Sequence, residues 1–587
     1  MKAAEENLEI AEDVKRSKEK INATALIKNA KAFEKKNDIH MAIKSYENAL
    51  SICISENNTA DVFTLSMKLG DFYQLGGKLE EGMQYFQQAK AAAENLKNKA
   101  LLIDALNKTA DSYISCYEIE NALKYSEEAS KILNEIDYLK GKIENNIGMS
   151  RIYNIKKEYF KARELCNETL LLCGDNFPLF KGKLYISLAD LYKNMTSPEE
   201  HLELLSQAYE CFEKADYERG LFGVINNIAI VYAEKLHDYE KALEYYKKLK
   251  KLCEGSIYVE FLKICYLNIG EVNLKCFNYK KSLSWLNKAI KMPSGAYADN
   301  ILAYNYVFLV QANLKLYNYT EAYDFLMKAE KEIGKNSNTE YTLVQYYKAA
   351  ALIFNEFGDT NCAKSYIKKA LDSVEKDETL IKWNIGIIYE YLKLSEAKNE
   401  ADVIDIVDGV SYALSKYKNN DQILESVYNI TIALIDCNYD KIALNFLSKY
   451  NSMKPAYEIL KLKKMFIDIK LSKSNDEKLL IKALKLAEEI RDVNFEWKLS
   501  CLIGDYYLKN DGAKEALNYY NLAFKVVEEM VLSVPEKYRI QYANSSKALE
   551  AYNKLVMAMH YNSMIELKTC KAITSMDQLN EIFNYTN

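Results

Sequence analysis

One pattern of small side chains recurs along the chain at a spacing of about 40 residues. In its second copy, Gly70 is followed by Gly82 twelve positions later and by Ala89 nineteen positions later. Self-similarity at a fixed period of roughly 20–50 residues marks a repeat architecture whose units contact only their neighbours. The pattern therefore predicts one long array of about thirteen units, with the first small position at residues 30, 70, 110, 148, 189, 229, 270, 310, 351, 386, 431, 468 and 504.

The composition indicates that these units are helical. The 587 residues include only 19 glycines and 5 prolines, well below the usual frequencies of roughly 7% and 5%. Proteins built from strands and tight turns need many residues that accept positive φ or fix φ, and this chain has few of them. Together with 49% hydrophobic residues, this predicts an all-α protein with a large continuous core and no flexible linkers.

The spacing of the small residues predicts a pair of antiparallel helices in each unit. We expect the first two small positions to let the two backbones approach, and the third to let the second helix pack on the next unit. A polar turn such as Phe357-Gly358-Asp359 ends the first helix. The fourth copy, counted from Gly148, has two extra residues before its second small position. The sixth copy, counted from Ala229, has one.

This arrangement of small and large residues resembles the tetratricopeptide repeat (TPR) family, over roughly residues 23–530. The basic TPR unit is about 34 residues long, and HEAT and armadillo repeats, at about 40–47 residues, are the structural alternative. Small residues 12 and 19 positions apart favour an extended TPR. The resemblance implies a right-handed α-α superhelical solenoid of about 13 helix pairs with a C-terminal capping helix, of the type found in bacterial regulators and scaffolds.

The same resemblance divides the chain into four segments. We expect an N-terminal helix or cap over residues 1–22, TPR-like repeats 1–10 over 23–395, degenerate and final repeats over 396–530, and a C-terminal cap or truncated connector over 531–587. A helix from Ser546 to about Lys571 is predicted to cover the last hydrophobic face.

The segment from Pro535 to Arg539 breaks the repeat pattern and allows a second interpretation. It is similar to a segment that follows TPR arrays in bacterial multidomain signalling proteins, where a diguanylate cyclase or a transcription regulator supplies the output. The alternative function is therefore the sensory or regulatory region of such a protein, with its output domain absent here.

The sequence carries no signature of catalysis, of a metal site or of a cofactor. No phosphate-binding loop, dinucleotide fingerprint, HExxH or GxSxG motif occurs. The 78 basic and 83 acidic residues leave a net charge of −5, which gives no basic footprint for nucleic acid. No apolar run of membrane-spanning length, no signal peptide and no CxxC occurs among the twelve cysteines. We expect a cytoplasmic, non-enzymatic protein with reduced thiols and a protein or peptide partner.

Asparagines recur where the resemblance places the concave surface. In TPR proteins the first helix of each pair lines this surface, through the residues two and three before the first small position and the one after it. An Asn amide carries a donor and an acceptor, and it can hold the N–H and C=O of an extended peptide, as in kinesin light chain and the bacterial peptide-pheromone receptors. The alternative is that these amides only bond neighbouring helices. The candidate peptide- or protein-binding residues are Asn107, Lys108, Asn146, Asn227, Asn268 and Asn384.

Overall fold

A computed structural model describes residues 22–36, 38–75, 78–193, 196–254, 259–292, 298–334, 340–374, 380–417, 419–472, 476–544, 547–561 and 575–584. Every regular element in these ranges is helical, and no strand occurs in them. The helix predicted over residues 1–22 lies outside the described residues except for Asn22. The side chain of Asn22 accepts a hydrogen bond from the Thr24 amide and caps the first helix.

The first fourteen α-helices lie between residues 23 and 291. They are α1 Ala23–Lys35, α2 Ile39–Ser55, α3 Thr59–Leu75, α4 Leu79–Asn95, α5 Lys99–Ser115, α6 Ile119–Leu133, α7 Leu139–Ile155, α8 Tyr159–Cys173, α9 Pro178–Tyr192, α10 Pro198–Lys214, α11 Glu218–Ile230, α12 Tyr239–Cys253, α13 Val259–Lys275 and α14 Tyr279–Lys291.

Fifteen further α-helices follow. They are α15 Ala298–Lys315, α16 Tyr319–Ile333, α17 Glu340–Glu356, α18 Thr360–Asp372, α19 Leu380–Lys393, α20 Glu400–Leu414, α21 Asn420–Asp436, α22 Asp440–Ser448, α23 Glu458–Ser472, α24 Glu477–Ile490, α25 Val493–Lys509, α26 Ala513–Leu532, α27 Arg539–Asn544, α28 Lys547–Tyr561 and α29 Met576–Asn584.

Helices α1 to α26 form thirteen consecutive pairs across the part of the chain that the structure describes, as the sequence predicts. In most pairs the first helix packs on the second helix, and the second helix packs on the first helix of the following pair. The paired, all-α repeat fold is confirmed.

The packing within a pair depends on a large side chain that sits over a small residue. A Cβ added to Gly70 would lie 2.5 Å from Cε1 of Phe86, and one added to Gly504 would lie 2.5 Å from Cε1 of Tyr520. The corresponding distance from Gly270 to Cδ2 of Leu286 is 2.6 Å. These separations are too short for any real Cβ. The glycines at the first small position therefore make room for a large side chain of the second helix. The two backbones also approach, as predicted, since a Cβ added to Gly82 would lie 3.1 Å from the carbonyl oxygen of Gly70.

The position sixteen residues after the predicted first small position is buried in ten copies, and in nine of them it carries a large side chain. The ten residues are Tyr46, Phe86, Ser126, Leu205, Leu286, Leu326, Ile367, Leu447, Leu484 and Tyr520.

The fourth copy is aligned differently from the sequence-based assignment. Gly148 is only half-buried, and the nearest atom to an added Cβ would be Oγ of Ser126 at 3.9 Å. Ser150 is fully buried, and Ala162 and Thr169 follow it by 12 and 19 residues. The first small position is therefore Ser150, and the two extra residues expected before the second helix do not exist.

The sixth copy does contain its extra residue. Ala229 and Ala242 are 13 positions apart, and the intervening segment Val231–Lys235 forms a π-helical turn. A π-turn accommodates one additional residue inside a helix, which explains the insertion. In the tenth and twelfth copies the small positions fail, because no atom approaches within 4 Å of a Cβ added to Gly386, and Asp468 is exposed.

Left-handed backbone conformations end many of the helices, and most of them use residues other than glycine. Tyr117, Phe277 and Tyr317 all have φ near +60° in the turn between the two helices of a pair. In the first of these turns, the Glu118 amide donates to the Tyr113 carbonyl at 2.9 Å, which satisfies an end of α5. This explains how the chain makes its turns with few glycines, since among the described residues only Gly174 and Gly358 are glycines with positive φ.

The chain forms two compact units. The first comprises residues up to Tyr266 together with 292–298, and the second comprises 267–291 together with the residues from Asp299 onward. The predicted divisions after residues 395 and 530 stay predictions. No helix among the described residues combines the length and apolar character needed to cross a membrane.

Within the second unit, repeats that are distant in sequence contact one another. Nζ of Lys315 lies 2.8 Å from Oε1 of Glu425, and the Tyr317 hydroxyl donates to Oδ1 of Asp492 at 2.8 Å. These pairs are 110 and 175 residues apart. The expectation that a repeat touches only its neighbours is therefore wrong for this unit, whose array folds back on itself.

The segment after α26 completes this closure. The Thr320 amide donates to the Ser533 carbonyl at 2.8 Å. The ring of Tyr538 lies 4.9 Å from that of Phe357 and 5.6 Å from that of Tyr323. The segment that breaks the repeat pattern thus packs against the core of the second unit through the half-buried Tyr538.

The predicted C-terminal helix is present in the residues that the structure describes. Helix α28 covers Lys547–Tyr561, and the rest of the predicted helix, to about Lys571, lies outside the described residues. It packs on α26 and buries Leu555 and Val556 there, in the capping position that the fold requires.

We predict opposite effects for the same substitution at two glycines of the second unit. Gly504→Ala should destabilise the unit by about 2 kcal/mol, because the new methyl group overlaps the buried Tyr520 ring. Gly386→Ala should stabilise it by up to about 1 kcal/mol, because Ala favours the helix and meets no neighbour. Urea unfolding monitored by circular dichroism measures both; equal effects would contradict the packing described here.

We predict that Tyr538→Ala lowers the stability of the second unit by about 2 kcal/mol, because it removes an aromatic side chain from a core formed by distant repeats. Tyr117→Ala is the matched control, since this tyrosine is 76% exposed. Calorimetric unfolding of the full chain compares the two. If Tyr538→Ala melts like the control, the closure does not stabilise the unit.

Candidate functional site

Four successive first helices of the first unit, α5, α7, α9 and α11, line a single cavity of about 430 Å³. Aromatic side chains from α10, α13 and the start of α11 complete it. The lining residues are Asn107, Lys108, Asp111, Glu144, Ile147, Gly148, Arg151, Lys183, Ile186, Ser187, Asp190, Phe212, Tyr217, Arg219, Gly220, Gly223, Val224, Asn227 and Phe261.

The lining residues recur every three or four positions on each helix, which is the spacing of one helical face. On α7 they are Glu144, Ile147, Gly148 and Arg151. Because side chains three or four apart lie above one another, each helix presents one column of groups to the cavity. The cavity wall is therefore four parallel columns taken from four repeats.

The corrected alignment of the fourth copy explains which residues face the cavity. Relative to Ser150, Gly148 stands at minus two and Arg151 at plus one, and both line it. Asn146 then stands at minus four, and its amide donates to Oγ1 of Thr169 on the paired helix at 3.0 Å. The two-residue misalignment had placed Asn146 where Gly148 lies.

Two of the cavity glycines leave open space. The nearest atom to a Cβ added at Gly223 would be Cε1 of Phe261, at 4.0 Å, and Gly148 is similarly open. Gly220 differs, since an added Cβ would lie 2.5 Å from Cδ1 of Tyr217. Gly148 and Gly223 therefore widen the cavity, whereas Gly220 allows an aromatic ring to pack.

Ion pairs link successive first helices along the cavity face. Nζ of Lys108 lies 2.7 Å from Oδ1 of Asp71, one repeat earlier, and Arg151 donates to Asp111, again one repeat earlier. Lys68 pairs in the same way with Glu34 at 2.9 Å. A cation of each repeat thus neutralises an acidic side chain of the previous repeat, and these ion pairs fix the spacing of the columns.

These charges shift one another's pKa values. Burial opposes ionisation of Asp111, yet Arg151, Lys183 and Lys108 together hold its pKa below the ordinary value. Burial lowers the pKa of Lys183, and the neighbouring Lys108 and Arg151 lower it further while Asp111 opposes the change. Burial lowers the pKa of Lys108, but Asp71, Asp111 and Glu144 together outweigh this effect and raise it. The cavity is thus strongly polar, with positive and negative groups on adjacent columns.

Three of the six candidate residues from the sequence meet at this cavity. Asn107 and Lys108 line it from α5, and Asn227 lines it from α11, at its opposite side. The Asn107 amide donates to the Gly141 carbonyl at 3.0 Å. Its Oδ1 atom is buried and accepts no hydrogen bond from the residues that the structure describes.

The other three candidates lie elsewhere. Asn146 faces its paired helix, as described above. Asn268 and Asn384 belong to the second unit, where both are half-buried and where Oδ1 of Asn384 accepts from Nζ of Lys348 at 3.5 Å.

Arg151, Lys183 and Arg219 line the cavity but are not among the candidates that the sequence predicts. Placing the small position at Ser150 identifies Arg151, because it follows that residue directly. Lys183 and Arg219 lie six and ten residues before their small positions, and a rule limited to the residues at minus three, minus two and plus one does not reach them.

No histidine or cysteine stands among the lining residues of the cavity, and the Ser187 hydroxyl donates to the Lys183 carbonyl at 3.1 Å. Within the described ranges, no group of three His, Cys, Asp or Glu side chains is placed to hold a metal ion. The cysteines described are free thiols, and burial raises the pKa of Cys265 to about 12, which leaves this thiol unreactive.

The spacing of the packed positions distinguishes a TPR-like repeat from the HEAT and armadillo alternatives. In most copies, buried residues 12, 16 and 19 positions after the first small position place one helix against its pair and against the next pair. The fold is TPR-like. In its extended form here, the first helices of four TPR-like pairs form the wall of the cavity.

Comparison with known proteins gives no family model and no curated protein that matches this chain. Among solved structures, it is similar to the apo form of the quorum sensor NprR from B. thuringiensis, at 13% identity, with 61% of this chain and 99% of that chain covered and a TM-score of 0.45. The apo form of RapI is 14% identical, with 60% of this chain and 95% of that chain covered and a TM-score of 0.44. The Cut9–Hcn1 hetero-tetramer of APC/C is 12% identical, with 96% of this chain and 93% of that chain covered and a TM-score of 0.39.

We predict that Lys183 loses its proton at a lower pH than Lys108, because burial lowers the first pKa and Asp71 raises the second. Acetic anhydride labels only the neutral amine, so the labelling rate of Lys183 should reach half its maximum at the lower pH. Asp111→Asn should move this midpoint lower still, since it removes the negative charge that opposes the shift. Mass spectrometry of labelled peptides gives both midpoints; coincident midpoints would contradict the electrostatics described.

Proposed function

We propose that this chain is a non-enzymatic, cytoplasmic scaffold that holds an extended protein or peptide segment in the cavity of the first unit. The observation that carries the proposal is the wall itself, in which four successive first helices turn one column each toward the same space. A ligand that crosses all four columns must be elongated. An extended peptide, which advances about 3.3 Å per residue, has this shape.

The chemistry of the wall suits a peptide backbone. Asn107 and Asn227 stand on the outer two of the four helices, and each amide offers a donor and an acceptor. Oδ1 of Asn107 is buried and accepts no hydrogen bond from the described residues, so a peptide N–H fits there. Between the two asparagines, Ile147 and Ile186 supply apolar contact for side chains.

The size and charge of the cavity agree with this use. Its volume of about 430 Å³ falls in the range of roughly 300–1,000 Å³ that small ligands occupy, which corresponds to a short part of a peptide. Lys108, Lys183, Arg151 and Arg219 face Asp111, Glu144 and Asp190. Mixed charges select a segment with its own alternating charges and give specificity rather than bulk affinity.

We predict that filling the cavity abolishes peptide binding without harming the fold. Peptides selected from a random display library on the full chain should lose at least tenfold in affinity for Gly223→Leu, because the new side chain enters open space at the wall. Gly386→Leu is the matched control, since it places the same side chain in equally open space in the second unit. Fluorescence anisotropy with a labelled peptide measures both.

The asparagines give a second comparison on the same peptides. Asn227→Ala should weaken binding about tenfold, because it removes a bidentate contact to the peptide backbone, roughly 1.4 kcal/mol. Asn146→Ala should leave affinity unchanged, because that amide bonds to Thr169. Peptides that bind Gly223→Leu and Asn227→Ala as well as the wild type would overturn the proposed site.

A further inference from the structure

The closure of the second unit brings charged side chains from four first helices into one cluster. Lys315 of α15, Lys348 of α17, Glu425 of α21 and Lys463 of α23 interact electrostatically, although up to 148 positions separate them in sequence. Lys315 and Glu425 form the ion pair described above, at 2.8 Å. We call Lys315, Lys348, Glu425 and Lys463 the lysine cluster. It belongs wholly to the second unit and is independent of the first-unit cavity.

Two lysines of the cluster are bonded to neutral groups. Nζ of Lys463 donates to Oδ1 of Asn429 at 2.8 Å, and Nζ of Lys348 lies 3.5 Å from Oδ1 of Asn384. The nearby acids have other partners. Glu425 pairs with Lys315, Glu271 pairs with Lys275 at 2.9 Å, and Asp492 accepts a hydrogen bond from the Tyr317 hydroxyl. Among the described residues, no carboxylate forms an ion pair with Lys348 or Lys463.

Charged groups of both signs surround these two ammonium groups. Burial lowers the pKa of Lys348 to about 8; Lys275 and Lys315 add to this shift, and Glu271 and Glu425 oppose it. Burial and Lys315 also lower the pKa of Lys463 to about 8, while Glu425 and Asp492 oppose the shift. Burial opposes ionisation of Glu425, yet Lys315, Lys463 and Lys348 hold its pKa near about 2. The one carboxylate of the cluster is thus stabilised by three ammonium groups, and a second anion would relieve their mutual repulsion.

The cluster is partly enclosed. The side chains of Lys315 and Glu425 are 40% and 26% exposed, Lys348 is half-buried, and Lys463 is only 9% exposed. A partly enclosed position strengthens a charge interaction relative to one on an open surface. Four inward-facing helices also fix the positions of the ammonium groups before any ligand arrives, which lowers the entropic cost of binding.

We propose that the lysine cluster is a binding site for an oxyanion, a carboxylate or phosphate group of a small ligand, with Lys348 and Lys463 as its principal contacts. Lysine binds phosphate and carboxylate as a strongly hydrated point charge with three donors. The amides of Asn384 and Asn429 hold the two ammonium groups in place. Glu425 competes with the ligand for the same positive charge.

Isothermal titration calorimetry on the full chain tests this site with two probes, inorganic phosphate and succinate, at constant ionic strength. We expect the wild type to bind at least one probe, and the tighter probe identifies whether the natural group is a phosphate or a carboxylate. Lys348→Met and Lys463→Met should each weaken binding at least tenfold. Lys482→Met, at an exposed position of α24, is the control and should bind like the wild type.

A gain of affinity separates this site from a loss of folding. Glu425→Gln removes the competing carboxylate and releases Lys315, so the preferred probe should bind at least fivefold more tightly. A misfolded variant cannot produce such a gain. Failure of the wild type to bind either probe, equal affinities in all three lysine variants, or weaker binding by Glu425→Gln would each overturn the proposal.

Discussion

The fold depends on one repeated contact, in which a large side chain of a second helix occupies the space above a small residue of the first. Phe86 over Gly70, Leu286 over Gly270 and Tyr520 over Gly504 are its clearest examples. The contact fixes how closely the two helices approach and therefore where the other columns of each first helix point. The small residue determines the position of the packed face, and the cavity residues of the first unit follow from it by helical geometry alone.

The helix pairs and most of their small positions could be predicted from the sequence, because the pattern of small residues recurs at a regular spacing. Thirteen helix pairs and most of their small positions follow from spacing alone. The fourth copy was misaligned because glycine was taken as the small residue, whereas packing uses the equally small Ser150 two positions later. A single copy holds too little information to choose between them. The closure of the second unit lay beyond prediction for another reason. It depends on residues such as Tyr317 and Asp492, 175 positions apart, whose types are also those of ordinary turns.

The candidate-site residues that could be predicted are those whose repeats were correctly aligned. Asn107, Lys108 and Asn227 could be found because their copies were correctly aligned. Arg151 could not be predicted because its repeat, the fourth, was aligned on Gly148 and not on Ser150. The ion-pair ladder from Lys68 through Lys108 to Arg151 shows that the cavity is also a product of contacts between repeats. Each cation pairs with an acid of the previous repeat. Removing one charge of such a pair therefore leaves its partner on the neighbouring repeat uncompensated. Such coupling needs the relative placement of helices, which composition and spacing do not give.

The central claim is that an extended segment lies across the four columns of the first unit. A crystal structure of the full chain with a peptide selected for binding tests this most directly. The account predicts a peptide main chain in the cavity, hydrogen-bonded to the side chains of Asn107 and Asn227 and passing over Gly148 and Gly223. A peptide bound to the second helices, or to any surface that leaves the cavity unoccupied, would contradict it.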